Sequence, residues 1–155
     1  MTLWIDADAA PAEMKEVVFR SGQRLGFETV LVANQSIAIP AAYSRARSVC
    51  VRVGPDAADH YIAKEAQPGD VAITADIELA SALVAKSVAT IDPRGDEYTP
   101  NDVRSRLSVR NFNEHLRGAG VNTRGPRPYG AREKKAFAAA LDRVLTRELR
   151  KSARR

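Results

Sequence analysis

Residues 1–20 read MTLWIDADAAPAEMKEVVFR, an apolar run that stops on two aspartates, Asp6 and Asp8, with a proline-led helix directly behind them. Leu3 to Ala7 predicts a strand. Pro11 suits the first turn of a helix, where its missing N–H has no intrahelical partner to lose. Met14, Val17, Val18 and Leu25 then recur at helical spacing, and Gly26 is placed to stop the helix. Two acids at the tip of a strand that should be buried need a reason.

The alternation continues downstream. FETVLVAN (27–34) and SVCVRV (48–53) predict a second and a third strand, and DAADHYIAKEA (56–66) predicts a short helix with Ala58, Ile62 and Ala66 on one face. PGDVAITAD (68–76) reads as a turn and a fourth strand over Val71–Thr74. IELASALVAK (77–86) is a helix and SVATI (87–91) a fifth strand. Short, continuously apolar strands alternating with helices are the signature of a parallel sheet covered on both faces. After Ile91 the pattern changes. DPRGDEYTP (92–100) is a loop, with Thr99 placed to cap a helix beginning at Pro100. That helix carries Val103, Leu107, Phe112 and Leu116. NTRGPRPYG (122–130) is a second loop, and Phe137, Leu141, Val144, Leu145 and Leu149 form the stripe of a final amphipathic helix. The expectation is one domain over 1–155, an α/β core (1–92) with a C-terminal helical extension (93–155) packed on it.

The chain of 155 residues is 45% hydrophobic and 28% charged, a globular composition. No apolar run approaches the roughly 20 residues of a membrane span, and Asp6 comes too early for a secretory signal, so a cytoplasmic protein is expected, with no membrane partner. Self-association stays open. The single cysteine, Cys50, reads as a buried, inert core thiol. Charge is uneven: residues 1–77 hold 7 Lys and Arg against 10 Asp and Glu, and residues 78–155 hold 17 against 9. An acidic half precedes a basic half, which suggests two electrostatic tasks in one fold. The terminal LTRELRKSARR (145–155) reads equally as a solvated helix face.

In open parallel sheets, ligands bind beyond the carboxyl ends of the strands. The first strand delivers Asp6 and Asp8 there. The second delivers Asn34, the third leads to Asp56 and Asp59, and the fourth delivers Thr74 and Asp76. Carboxylates gathered this closely repel and raise one another's pKa. A hard divalent cation, Mg²⁺ or Mn²⁺, resolves the conflict, because it takes oxygen ligands and substrate phosphate. Each acid also has an ordinary reading: Asp8, Asp56 and Asp76 each stand where a helix cap would.

Several blocks carry a family resemblance: WIDADAAP (4–11), LVANQ (31–35), DAADHYI (56–62), GDVAITADIELA (69–80), DPRGDEYT (92–99) and RGPRPYGAREKKAFAAALDRVL (124–145). Together, in this order, they resemble the YaiI/YqxD family of bacterial proteins, over about Met1 to Leu145. The resemblance implies a three-layer PIN-like fold with a mostly parallel sheet of about five strands. It also implies kinship with PIN-like and NYN domains, whose nuclease members use clustered acids with Mg²⁺ or Mn²⁺. Two positions depart from the family pattern. Ala10 stands where a cysteine is usual, which argues against a required thiol, and His60 stands where a further acid is usual.

The leading expectation is therefore a metal-dependent nuclease acting on RNA. Asp6, Asp56 and Asp76 hold the metal, and Asp8 and Asp59 complete the catalytic shell. Asn34 and Thr74 position substrate or water, and Arg94, Arg124 and Arg127 grip the phosphodiester backbone. Arg94 reads equally as a structural partner of Asp92 or Asp96. Two alternatives use the same residues: a non-catalytic nucleic-acid-binding module and a hydrolase of small phosphoesters.

Overall fold

Strand β1 (Thr2–Asp6) sits in the middle of a five-stranded sheet, with β2 (Glu28–Ala33) on one side and β4 (Val71–Ile73) on the other. The outer strands are β3 (Ala46–Cys50) and β5 (Ala89–Ile91), and the order is β3-β2-β1-β4-β5. Every strand pair is parallel, with Asp6 opposite Val32 and Ile5 opposite Ile73. One antiparallel bridge, Ile91 to Glu97, turns the chain back along the outside of β5. In this computed structural model residues 1–8, 10–52, 54, 56–118 and 128–155 are described, with the backbone alone for 110–118. Phe112 and Leu116 of the predicted helical stripe lie outside the described side chains.

The central strands are apolar on both faces because both faces are covered. Leu3 and Ile5 point into a core shared with α1 (Ala12–Leu25) and α5 (Ala131–Ala153). Trp4, Val30 and Val32 point the other way, into a core shared with α2 (Ala57–Glu65) and α3 (Ile77–Ala85). Helix α4 (Pro100–Gly118) joins that second layer through Val103, which packs with Ile77, Ala80 and Tyr98. The result is the expected three-layer α/β architecture. Helix α5 is integral to it, since Phe137, Leu141, Val144 and Leu145 are all wholly buried in the larger core.

Two glycines set how closely the layers approach. A Cβ on Gly22 of α1 would lie 2.4 Å from the Thr29 hydroxyl of β2. One on Gly95 would lie 2.8 Å from the Ala136 backbone of α5, and Gly95 also has φ of +99°. The loop after β5 is thus pressed against the first turns of α5.

Element boundaries follow the expectation to within about two residues except at the third strand, read as 48–53 and found at Ala46–Cys50. Gly26 ends α1 in the left-handed conformation, and the Thr99 hydroxyl accepts the Asp102 N–H at 3.1 Å, capping α4. The reading of Cys50 needs correction: it is exposed. It lies at the end of β3, an edge strand with one neighbour and half-covered faces, so an apolar sequence there does not produce a buried thiol.

Candidate acidic site at the strand switch point

From β1 the chain moves to β2 and β3 on one side, then crosses over to β4 and β5 on the other. The strand order therefore reverses between β1 and β4, which opens a crevice at their carboxyl ends. Asp6 is the last residue of β1. Thr74 and Asp76 follow β4 directly.

Thr74 is the hinge of the arrangement. It is 1% exposed. Its hydroxyl donates to Asp6 Oδ2 at 3.0 Å and accepts the Asp76 N–H at 3.0 Å. Of the three acids offered as caps, Asp76 alone caps: its Oδ1 accepts the N–H groups of Glu78 at 2.9 Å and Leu79 at 3.2 Å. Asp56 occupies the N-cap position of α2 without a side-chain cap bond, and no side chain caps α1. Asp8 instead turns to the neighbouring strand exit, where its Oδ1 accepts the Asn34 N–H at 2.8 Å.

These contacts draw the acids together. Asp59, on the first turn of α2, is hydrogen-bonded to both Asp6 and Asp76. Burial pushes the Asp59 carboxyl up to about 8, helped by the hydrogen bond to Asp76 and the charges of Asp6, Asp76 and Asp56. Burial also raises Asp6, opposed by the Thr74 hydroxyl and reinforced by the charges of Asp76 and Asp8. All five predicted acids thus act on one another at one sheet edge. Asp6, Asp59 and Asp76 form the inner trio, with Asp8 and Asp56 exposed outside it. Asp59, rather than Asp56, bonds to the two strand-end acids, because Asp59 is half-buried on α2 while Asp56 faces solvent.

A cleft of about 200 Å³ opens beside the trio, lined by Asp56, Asp59, His60, Ala63, Glu78 and Leu79 among others. Among the described residues no group of three or more His, Cys, Asp or Glu is set to hold a metal ion. The donor chemistry suits a hard cation all the same. The side chains of the trio are all oxygen donors, the ligand type a hard divalent cation takes.

The remaining predicted site residues divide. Asn34 is exposed beside Asp8. Thr74 is enclosed, so its hydroxyl orients the acids. Arg94 lies at the exit of β5, and its guanidinium faces Glu133 of α5 at 3.8 Å. Asp92 accepts the Arg94 backbone N–H at 2.7 Å, and Asp96 pairs with Arg106 at 3.4 Å. A partner 39 positions away was beyond any local pattern. Arg124 and Arg127 lie outside the described residues.

Tyr98 was missed as a part of this edge. Its hydroxyl lies 3.2 Å from the Thr74 carbonyl and 3.1 Å from Asp92 Oδ2, tying the exits of β4 and β5 together. Its burial, followed by the Asp92 charge, raises the phenol further above its usual range. The opposite sheet edge holds a buried acid with a purely structural role. Asp70 accepts the Trp4 indole N–H at 3.0 Å and the backbone N–H groups of Thr2 and Gln67, both at 3.0 Å.

Fold and edge together define a doubly wound α/β protein with an acidic crevice at its switch point. A family profile described as "Uncharacterized BCR, YaiI/YqxD family" matches residues 4–147. The chain belongs to that family. A "UPF0178 protein" of Syntrophobacter fumaroxidans is 49% identical over 150 residues, covering 97% of each chain. One from Myxococcus xanthus is 50% identical over 147 residues, 95% of each. Another, from Trichlorobacter lovleyi, is 47% identical over 152 residues, 98% of each. No solved structure matches the chain. Among the described residues no helix is long and apolar enough to cross a membrane.

Proposed function

We propose that this protein is a metal-dependent phosphodiesterase acting on RNA, with its site at the carboxyl edge of β1 and β4. The observation that carries the reading is the Asp6–Asp59–Asp76 trio, where burial and mutual repulsion hold Asp59 protonated up to about 8. A structural cluster would gain from having fewer charges there. A site for a cation has a use for all three. The resemblance to PIN-like domains, and the strand-end position of the acids, agree with this.

Asp6, Asp59 and Asp76 would hold Mg²⁺ or Mn²⁺, with Asp8 and Asp56 adding negative charge beside them. The ion, when bound, polarises the scissile phosphate and lowers the pKa of a water. The protein's own residues do the rest. Thr74 fixes the Asp6 carboxylate and the Asp76 backbone, so the acids are oriented before substrate arrives. His60 and Glu78 line the cleft beside the trio, and either would serve as a proton partner for a phosphoester bound there.

Asp76→Asn is the sharpest test. Asparagine caps helices about as well as aspartate, so α3 keeps its start while one negative charge is lost. The expected result is loss of single-stranded RNA cleavage in Mn²⁺ with RNA affinity unchanged or slightly higher. Wild type that cuts p-nitrophenyl phosphate but no RNA moves the small-phosphoester alternative ahead. Wild type that binds RNA without cutting it makes the protein a binding module.

A further inference from the structure

Helix α5 starts at the acidic edge and runs away from it. At its beginning Glu133 pairs with Arg94 of the β5 exit, and the Tyr129 hydroxyl donates to the Pro93 carbonyl at 2.9 Å. At its end Glu148, Lys151, Ser152 and Arg155 line a hollow with Met1, Pro68 and Asp70 at the opposite edge of the sheet. Along this path Arg143, Arg147, Arg150 and Arg154 recur at intervals of four, three and four residues, so they share one helix face. With Asp142, which pairs with Arg24 at 2.7 Å, and with Thr146 and Lys151, they line an open groove of about 600 Å³.

Two of the cations in the groove are held in place by acids. Arg147 Nη1 donates to Glu97 at 3.0 Å, and its Nε donates to the buried Glu148 at 3.0 Å. Lys151 Nζ donates to the same Glu148 at 2.9 Å. Among the described residues the ion pairs on this side of the molecule do not take in Arg143, Arg150 or Arg154. Three guanidinium groups are therefore available over 11 helical residues, about 16 Å at 1.5 Å per residue. That length matches roughly five stacked nucleotides at 3.4 Å each.

We propose that this face of α5 is a docking track for the phosphodiester backbone of a single RNA strand, which it leads toward the aspartate edge. The proposal rests on the nuclease reading for the identity of the strand. Guanidinium groups fit phosphate oxygens bidentately, and arginine rather than lysine supplies the unpaired positions. A lipid surface is a poor occupant. The apolar side of α5 is wholly committed to the core, so none of it is left to insert into a bilayer. From Glu133 to Arg154 the helix covers on the order of 30 Å. A strand that occupies both track and acids is about nine stacked nucleotides long, so the expected substrate is an oligonucleotide and not a dinucleotide.

The test is fluorescence anisotropy of a labelled 20-mer uridine RNA and a trimer, at several salt concentrations, with cleavage in Mn²⁺ followed on the same RNAs. Wild type should bind the 20-mer well and the trimer poorly. Arg143→Gln/Arg150→Gln/Arg154→Gln should weaken 20-mer binding more than about tenfold, and flatten the slope of log affinity against log salt by about 2, three contacts at about 0.7 each. The corresponding Lys variant should restore most of the slope. Where the triple Gln variant fails to fold, Arg143→Gln/Arg154→Gln serves, with a slope change of about 1.4. Unchanged affinity in these variants overturns the track, and so does polyglutamate or an anionic vesicle competing as well as RNA. Binding that depends on the arginines without any cleavage keeps the track and removes the nuclease reading. Equal cleavage of trimer and 20-mer, indifferent to the arginines, keeps the nuclease reading and removes the track.

Discussion

Asp59 carries a large electrostatic tension. Burial and three neighbouring carboxylates raise it from the usual 3.8 to about 8 in the metal-free protein. Between those two values the folded protein holds a proton that the unfolded chain has released. Stability therefore falls as pH rises across this window; the contribution is complete below 3.8 and gone above about 8. Asp6 is also raised and adds in the same direction. Asp59→Asn imitates the protonated form at every pH. In urea titrations with EDTA present, wild type should lose stability between pH 5 and pH 8, and the Asn variant should lose clearly less. Equal losses would remove the proposed coupling. Thr74 gives a second residue-level expectation. Thr74→Val keeps the shape but leaves the Asp6 carboxylate and the Asp76 N–H without their shared hydroxyl, at a cost of about 1–3 kcal/mol for each buried group left unpaired. Urea midpoints would measure it, and a loss below about 0.5 kcal/mol would mean that the hydroxyl organises nothing.

At the scale of elements, the position of α5 depends on a contact that no local pattern reveals. Gly95 is needed twice over, for its φ of +99° and for a Cβ that would meet the Ala136 backbone at 2.8 Å. Gly26 has a φ of +79° but open space around it. Gly95→Ala and Gly26→Ala share the backbone strain, about 1–2 kcal/mol, and differ in the clash. The first should therefore destabilise the protein by clearly more than the second in thermal unfolding, and equal effects would mean that the loop yields without disturbing α5. The helical stripe of α5 and the apolar strands were legible because burial on one or both faces writes itself into nearby sequence. What escaped depended on distant partners. Asp70 sits in a stretch that reads as a turn, yet its ligand is the Trp4 indole, 66 positions earlier. Arg94 finds Glu133 in a helix still to come. Cys50 looked like core because its neighbours are apolar, but only the rank of β3 in the sheet decides its exposure, and rank is a property of the fold.

For the whole molecule, the topology does what no single strand can: it turns five acids scattered over 71 positions into one edge. Their convergence was legible from strand exits alone, since a parallel sheet sends every carboxyl end to the same side. The roles within the group were not, because Asp59 meets Asp6 and Asp76 only through the packing of α2 on the sheet. A native-state cluster of this kind links ion binding to folding. A cation that binds the folded acids and not the unfolded chain stabilises by RT ln(1 + [L]/Kd), about 2.7 kcal/mol at a hundred times Kd. For a chain of this size each kcal/mol moves Tm by about 2–4 °C, so saturating Mn²⁺ should raise Tm by about 5–10 °C at pH 8, where the competing proton is weakest. Asp6→Asn/Asp76→Asn keeps the α3 cap and the Thr74 contact in shape but removes two of the three inner charges, and should abolish the shift. The metal-free double variant should itself melt higher than metal-free wild type, since it has lost repulsion. Absence of a Mn²⁺ shift in wild type, or an equal shift in the double variant, would mean that the acids are not a cation site, and the proposed chemistry would lose its centre.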